Sequence, residues 1–363
     1  MKKLMLITCF SLISILFVSA NDLTENFITG SPQLSSIKAI AFGPQNILFI
    51  GDNTGMKVVA VQIPQNGPAS KAGLNVPKLG ERFAASMGVS KSKVHIEDMA
   101  VNPTTKQIFW AVRAERGDQS VYALFTLDAK GLRECPLESV RYSQQSIEDA
   151  PEANHKTWKR PSRTYTITDL HYTEGEVIIS GLSNEEFSSS LRRVGFPFNK
   201  QSITTNLQVY HVSHGRNETH APIYRFKPVS LQGEWHIVAG YMCTPLVTFR
   251  LKELNGTNKL VGKTVAEIGA GNTPTGIITY QYNDQHYILI GNNVHPLTKL
   301  TGSDLFQAKS IQAPSKSRGV RREQVQLGSI AHISDFDAQN IVLIVYDKAS
   351  ESYSLKPVNK ADI

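Results

Sequence analysis

The sequence predicts an all-β fold, a β-propeller, and three features carry that prediction. The first is a recurring pattern of a short apolar run, a turn, a second apolar run and then a third. It appears six times, at Ile37–Gly51, Ile96–Arg113, Ile167–Gly181, Ile223–Gly240, Pro274–Gly291 and Ile330–Val345. The second is the make-up of the runs, in which β-branched and aromatic residues dominate and no long helical period is kept. The third is a spacing of about 50 to 70 residues between repeat starts, the size of a four-stranded blade with loops of variable length. Six blades are expected, or seven if one is degenerate.

Each element follows from this pattern. The first strands are runs such as Ile37-Lys38-Ala39-Ile40-Ala41-Phe42 and Ile96-Glu97-Asp98-Met99-Ala100-Val101. The turns after them, Gly43-Pro44-Gln45-Asn46, Asn102-Pro103-Thr104-Thr105, Thr173-Glu174-Gly175 and Leu231-Gln232-Gly233, use residues that preset φ or tolerate a positive φ. The second strands are the most apolar (Ile47–Ile50, Ile108–Val112, Val177–Ser180, Trp235–Ala239, His286–Ile290, Ile341–Val345), as befits strands covered on both faces. Third strands are read at Val58–Ile63, Val121–Leu127 and Leu246–Leu251, and a fourth at Leu207–Val212. Uneven spacing places insertion loops near residues 64–94, 134–165 and 187–203, and the segment Asn21–Leu34 is expected to supply a strand that closes the ring.

Residues 1–20 read as a signal peptide: Lys2 and Lys3, a largely apolar Leu4–Val18, and small residues at Val18-Ser19-Ala20. The apolar run is shorter than the roughly 20 residues of a membrane span, so a secreted or periplasmic protein without a membrane span is expected, with residues 21–363 forming a single propeller domain. Cleavage after Ala20 removes two of the 38 basic residues and none of the 31 acidic ones, leaving a formal charge of +5. The excess is modest and scattered. Its two local clusters, around Lys156–Arg163 and Lys316–Arg322, lie among Pro, Ser and Gly and read as solvated loops, so no nucleic-acid partner is expected, since that would call for a basic stripe interleaved with aromatics. Cys135 and Cys243 survive cleavage; they fall in non-adjacent repeats and are expected to be free thiols.

In a propeller the loops after second strands and before first strands open on one face. Here they are rich in Asn, Glu, His and Arg, side chains that hold ions or polar ligands. The densest piece is His211-Val212-Ser213-His214-Gly215-Arg216-Asn217-Glu218-Thr219-His220. His211 leaves a strand and His214 lies in the loop, so the strand alternation sets them on opposite sides. A second piece, Asn184-Glu185-Glu186 with Arg192, suits oxygen ligation of a cation, a general base, or simply the capped start of a helix over residues 185–192. Asn272, Asn292 and Asn293 join the same face. The candidate ligand-binding residues are therefore Asn184, Glu185, Glu186, Arg192, His214, Arg216, Asn272, Asn292 and Asn293. His214, Glu185 and Cys243 are the candidate ligands of a divalent metal ion. No G-x-S-x-G elbow, H-E-x-x-H, C-x-x-C-H or Gly-rich phosphate loop occurs, so no catalytic residue is assigned.

The blade openings Ile40-Ala41-Phe42-Gly43-Pro44 and Met99-Ala100-Val101-Asn102-Pro103 resemble those of secreted bacterial propellers of the quinoprotein-like and lactonase-like superfamilies. Calcium-dependent lactonases of this shape carry a Glu, Asn and Asp set on the axis. The resemblance implies that Asn184, Asn272, Asn292 and a carboxylate among Asp52, Glu185 and Glu186 take those places. The favoured function is binding of a polar ligand, metal ion or redox cofactor on this face. The alternatives are a metal-dependent lactonase or esterase-like hydrolase and a scaffold whose rim binds a partner protein.

Overall fold

The computed structural model describes residues 22–68, 71–157, 159–314 and 319–363. The leader expected at residues 1–20 lies outside them, as do Lys316 and Arg318. Six of the seven sheets among the described residues are the blades of a β-propeller; the seventh is the short hairpin of Lys156–Thr157 and Arg160–Pro161. From the axis outward, blade I contains Ala39–Phe42, Ile47–Asp52, Lys57–Gln62 and Val140–Ser146, with Ile28–Gly30 outside them. Blade II contains Val94–Val101, Ile108–Arg116, Gln119–Asp128 and Gly131–Glu134, and blade III Asp169–Thr173, Glu176–Leu182, Ser189–Gly195 and Ser202–His211. Blade IV contains Ile223–Leu231, Glu234–Tyr241, Cys243–Arg250 and Lys263–Asn272. Blade V contains Pro274–Tyr282, Gln285–Asn292, Leu297–Thr301 and Glu323–Val325, and blade VI Ile330–Asp335, Asn340–Asp347 and Ser352–Asn359. No helix among the described residues is long and apolar enough to cross a membrane.

The blades do not follow chain order. Contacts between inner strands give the ring I–III–IV–V–VI–II, so blade II closes the gap between I and VI. After blade II the chain returns to add Val140–Ser146 to blade I, pairing Val59 with Gln144, and only then proceeds to blade III. The N-terminal strand Ile28–Gly30 pairs with the outer edge of this returning strand rather than closing the ring.

The three segments expected as insertions are largely structural. Within 64–94, Val76 exchanges two backbone hydrogen bonds of 3.0 Å with Leu355 at the edge of blade VI. The helix Leu79–Met87 buries Leu79, Phe83 and Met87 with residues of blades II and VI. Segment 134–165 holds the fourth strand of blade I, and 187–203 holds the third strand of blade III. These strands escape a hydropathy reading because they read Val-Arg-Tyr-Ser-Gln-Gln-Ser and Ser-Ser-Leu-Arg-Arg-Val-Gly.

The glycine ending several second strands has a packing cause. A Cβ on Gly51 would stand 2.7 Å from Ile167 of the connection into blade III, one on Gly240 2.8 Å from Pro274 of blade V, and one on Gly291 3.3 Å from Ile333 of blade VI. These glycines let each inner strand approach its neighbour, and Gly51 meets the blade III side rather than blade II, in keeping with the ring order. The core is a set of clusters between adjacent blades, such as Phe49 with Ile167, Leu170 and Phe196, or Ile178 with Phe226 and Ile237. Cys135 is a half-buried free thiol in blade II, its pKa raised by burial. Cys243 opens a strand of blade IV, across the ring from blade II; its side chain lies outside the described set.

Candidate functional site

Part of the expected loop set, from blades III and IV and the connection into blade V, lines one cavity. Strand Ser202–His211 runs into a 3-10 turn, Val212–His214, and the chain turns back at Gly215 (φ 63°). Arg216–Glu218 then pairs antiparallel with Val209–His211. Glu267 of blade IV fixes this turn, accepting from Val212 N at 3.1 Å and Ser213 Oγ at 2.6 Å.

A 3-10 turn repeats every three residues, so positions i and i+3 eclipse. That overrides the strand alternation: His211 and His214 lie on the same side, their ring centroids 3.9 Å apart. Both imidazoles meet one carboxylate. His211 Nδ1 lies 2.9 Å from Glu218 Oε2 and His214 Nδ1 lies 2.6 Å from Glu218 Oε1. One ligand atom from each of the three residues fits within 4.8 Å of the others, the only group of three or more such side chains among the described residues. His211 is buried and His214 exposed. Burial works to raise the Glu218 pKa, yet the bonds and charges of the two histidines outweigh it and hold the carboxyl below its ordinary value. The group borders a cavity of about 660 Å³ also lined by Arg216, Asn217, His220, Met242, Asn272 and Thr273.

Of the residues singled out in the sequence, His214, Arg216 and Asn272 therefore share one cavity. Glu185 is not in the three-donor group; Glu218 is its carboxylate. Asn184, Glu185 and Glu186 are exposed in an irregular loop, without the helix expected over 185–192, because Arg192 belongs to the strand Ser189–Gly195. Arg192 is only 1% exposed. It donates to Asp149 Oδ1 (2.7 Å), Thr166 O (3.0 Å) and Leu182 O (2.7 Å), clamping the connection between blades I and III. Asn292 is fully buried and donates to Pro296 O at 2.8 Å while accepting from Asn272 Nδ2 at 2.7 Å. Asn293 accepts from Thr273 N. Asp52, a candidate under the lactonase resemblance, is buried and accepts from Ser35 N, Ser36 N, Ser36 Oγ and Gly55 N.

The sequence reading missed the charges at the axis. Register places Ala39, Asp98, Asp169, Arg225, Gly276 and His332 at equivalent inner-strand positions, one per blade. A bulge precedes this position in four blades and re-aims the residue. Asp98 of blade II accepts from Ile40 N of blade I at 2.8 Å, and Asp169 of blade III from Phe226 N of blade IV at 2.9 Å. Arg225 spans the axis, donating to Thr168 O of the blade III side at 2.9 Å and Glu97 O of blade II at 3.2 Å, with Asp98 at 3.7 Å. Burial raises the Asp98 pKa to about 6, against the pull of Arg225. Asp169 stays below its ordinary value because His171 and Arg225 outweigh its burial. Burial, with the Arg225 charge, takes His332 down to about 3. Nearby, Glu97 bridges Lys38 (2.6 Å) and Arg113 (2.8 Å), which overcome its burial and hold it at about 2. The signal was present: an ionisable residue two places after the opening Ile in Ile96-Glu97-Asp98, Ile167-Thr168-Asp169, Ile223-Tyr224-Arg225 and Ile330-Ala331-His332.

No protein-family model matches the chain, and no curated protein matches it. Solved structures do. One is described as the extracellular domain of a hybrid two-component system from B. thetaiotaomicron, with a TM-score of 0.38 and 11% identity over 91% of this chain, which spans 39% of that one. Another is described as an oxidoreductase, a glucose dehydrogenase, from Thermus thermophilus, with a TM-score of 0.36 and 9% identity over 92% of this chain and all of that one. Likenesses this distant carry no argument about activity. The assignment of a propeller rests on the strand pairing.

Proposed function

We propose that this chain is an exported binding propeller that holds a small polar ligand on a divalent transition-metal ion bound by His211, His214 and Glu218. The observation that supports it is the meeting of two imidazoles and one carboxylate around a shared centre. Two nitrogens and one oxygen suit zinc and its first-row neighbours better than calcium, which prefers six or more oxygens. Three protein ligands leave a coordination position for a ligand from the adjoining cavity, where Arg216, Asn217 and Asn272 supply polar contacts. Glu267 is the supporting partner that fixes the turn carrying the two histidines. Among the described residues, Glu218 is the carboxylate that lines this cavity. Export is supported by the basic start, apolar run and small-residue cleavage motif of residues 1–20.

Equilibrium dialysis against Zn²⁺ tests this reading. The wild-type chain is expected to retain one equivalent, and a His211→Ala/His214→Ala protein less than about a tenth of that, since one carboxylate is a poor zinc site. Full zinc occupancy in the double variant would overturn it.

A further inference from the structure

The Arg225 plug leaves a shaft along the axis, about 320 Å³ in volume and lined by inner strands of all six blades on the side of their first turns. We propose that this shaft is a second binding site, for a short-chain carboxylate whose head group pairs with Lys227. This inference is independent of the metal reading.

Lys227 lies two residues beyond Arg225 on the inner strand of blade IV and is half-buried. Its ammonium makes no hydrogen bond or ion pair with any described residue. The carboxylates that act on it from a distance are engaged elsewhere. Asp169 accepts from Leu170 N and Phe226 N, both at 2.9 Å, and lies 3.6 Å from His171. Asp335 pairs with Lys360 at 2.7 Å. Burial lowers the Lys227 pKa below its ordinary value, as an unpaired cation in a confined site requires. An anion entering from the open end supplies the missing acceptor, and pairing a buried charge is worth more than pairing an exposed one.

The walls select the kind of anion. Beside Lys227 and Arg225 the shaft presents the apolar Ile40, Phe42, Ile277 and Phe336 together with Asp98, Lys106 and His171, a mixed lining that suits a small ligand with one charged head and a short apolar body. Asp169 and Asp335 repel a second negative charge, so a monoanion fits better than a phosphate dianion. At roughly 30 Å³ per water-sized group, the space holds about ten non-hydrogen atoms, enough for a carboxylate with a short alkyl tail.

Calorimetric titration of the full mature chain with butyrate, beside its neutral isostere butyramide, provides the test. Butyrate is expected to bind one to one, and butyramide at least about tenfold more weakly, because it lacks the charge that pairs with Lys227. Lys227→Met should weaken butyrate by a similar factor and raise the melting temperature of the ligand-free protein, since an unpaired buried cation is removed. Lys227→Arg should keep most of the affinity, and His214→Ala all of it. No butyrate binding, equal binding of butyrate and butyramide, or unchanged affinity in Lys227→Met would each overturn the proposal. Loss of butyrate binding in His214→Ala alone would also overturn it, by placing the carboxylate on the loop site. Should Lys227→Met fail to fold, the contrast between butyrate and butyramide on the wild-type chain still decides.

Discussion

The loop cavity and the axial shaft use charge in opposite ways. In the loop, two imidazoles share one carboxylate in a hairpin turn, a donor-rich arrangement that a cation can enter. On the axis, Arg225 is built into the ring by bonds to other blades, and Lys227 beyond it is a cation without a partner among the described residues. A polar side chain in a propeller therefore says little until its neighbours are known. Where backbone carbonyls and carboxylates of other elements hold its guanidinium, as for Arg225 and Arg192, it is part of the framework. Where it has no partner among the described residues, as for Lys227, or where two imidazoles converge on one carboxylate, as at Glu218, a ligand can enter.

The sharpest break of this contrast is Arg225→Met. The change leaves Asp98 and Asp169 buried without their shared cation and removes donors to carbonyls of two other blades. Urea unfolding should report a loss of about 3 to 5 kcal/mol. A loss below about 1 kcal/mol would mean that the axial charges do not hold the blades together. Arg192→Ala should cost about 3 kcal/mol on the same grounds, since Asp149, Thr166 O and Leu182 O all lose a buried donor. If Arg192 instead served a ligand, the variant would unfold like the wild type and lose binding.

Acid separates two adjacent carboxyls within the axial region. Glu97 is held at about 2 in the folded chain, below its ordinary 4.5. The unfolded chain therefore takes up more protons across that window, and the stability due to Glu97 is lost as pH falls from 4.5 towards 2. Asp98 is raised to about 6 from 3.8, so the folded chain binds the extra proton, and lowering pH from 6 to 4 relieves a penalty. Unfolding measured at pH 3, 4 and 6 should then show opposite trends. Glu97→Gln should flatten the acid loss. Asp98→Asn should lose ground to the wild type as pH falls from 6 to 4, and parallel behaviour of the two variants would refute the assignment.

Much of the architecture was legible because burial on both faces writes continuous apolar runs, and these give six second strands and their turns. Blade order was not legible. Antiparallel strands such as Val140–Ser146 satisfy the same backbone bonds in any blade, and the partner of a half-polar strand is set by distant residues. The site was half legible: His214, Arg216 and Asn272 stand in loops visible from the strand pattern. Glu218 was passed over because a carboxylate four residues from a histidine acquires meaning only once the hairpin is known. Arg192 and Asn292 looked available because sequence does not reveal which carbonyls surround a buried donor.

The smallest expected effect on stability belongs to the residue that matters most to the proposed function. His214→Ala, in an exposed loop, should change unfolding by less than about 0.5 kcal/mol. Its consequence should lie in metal binding, and titration of residues 21–363 with Co²⁺, followed by visible absorption, measures that directly. One equivalent should produce ligand-field bands typical of nitrogen and oxygen donors. These should vanish in His214→Ala and in Glu218→Gln and persist unchanged in Cys243→Ser. Bands that survive both loop variants, or a sulfur charge-transfer band that disappears with Cys243→Ser, would contradict a metal centre built from His211, His214 and Glu218.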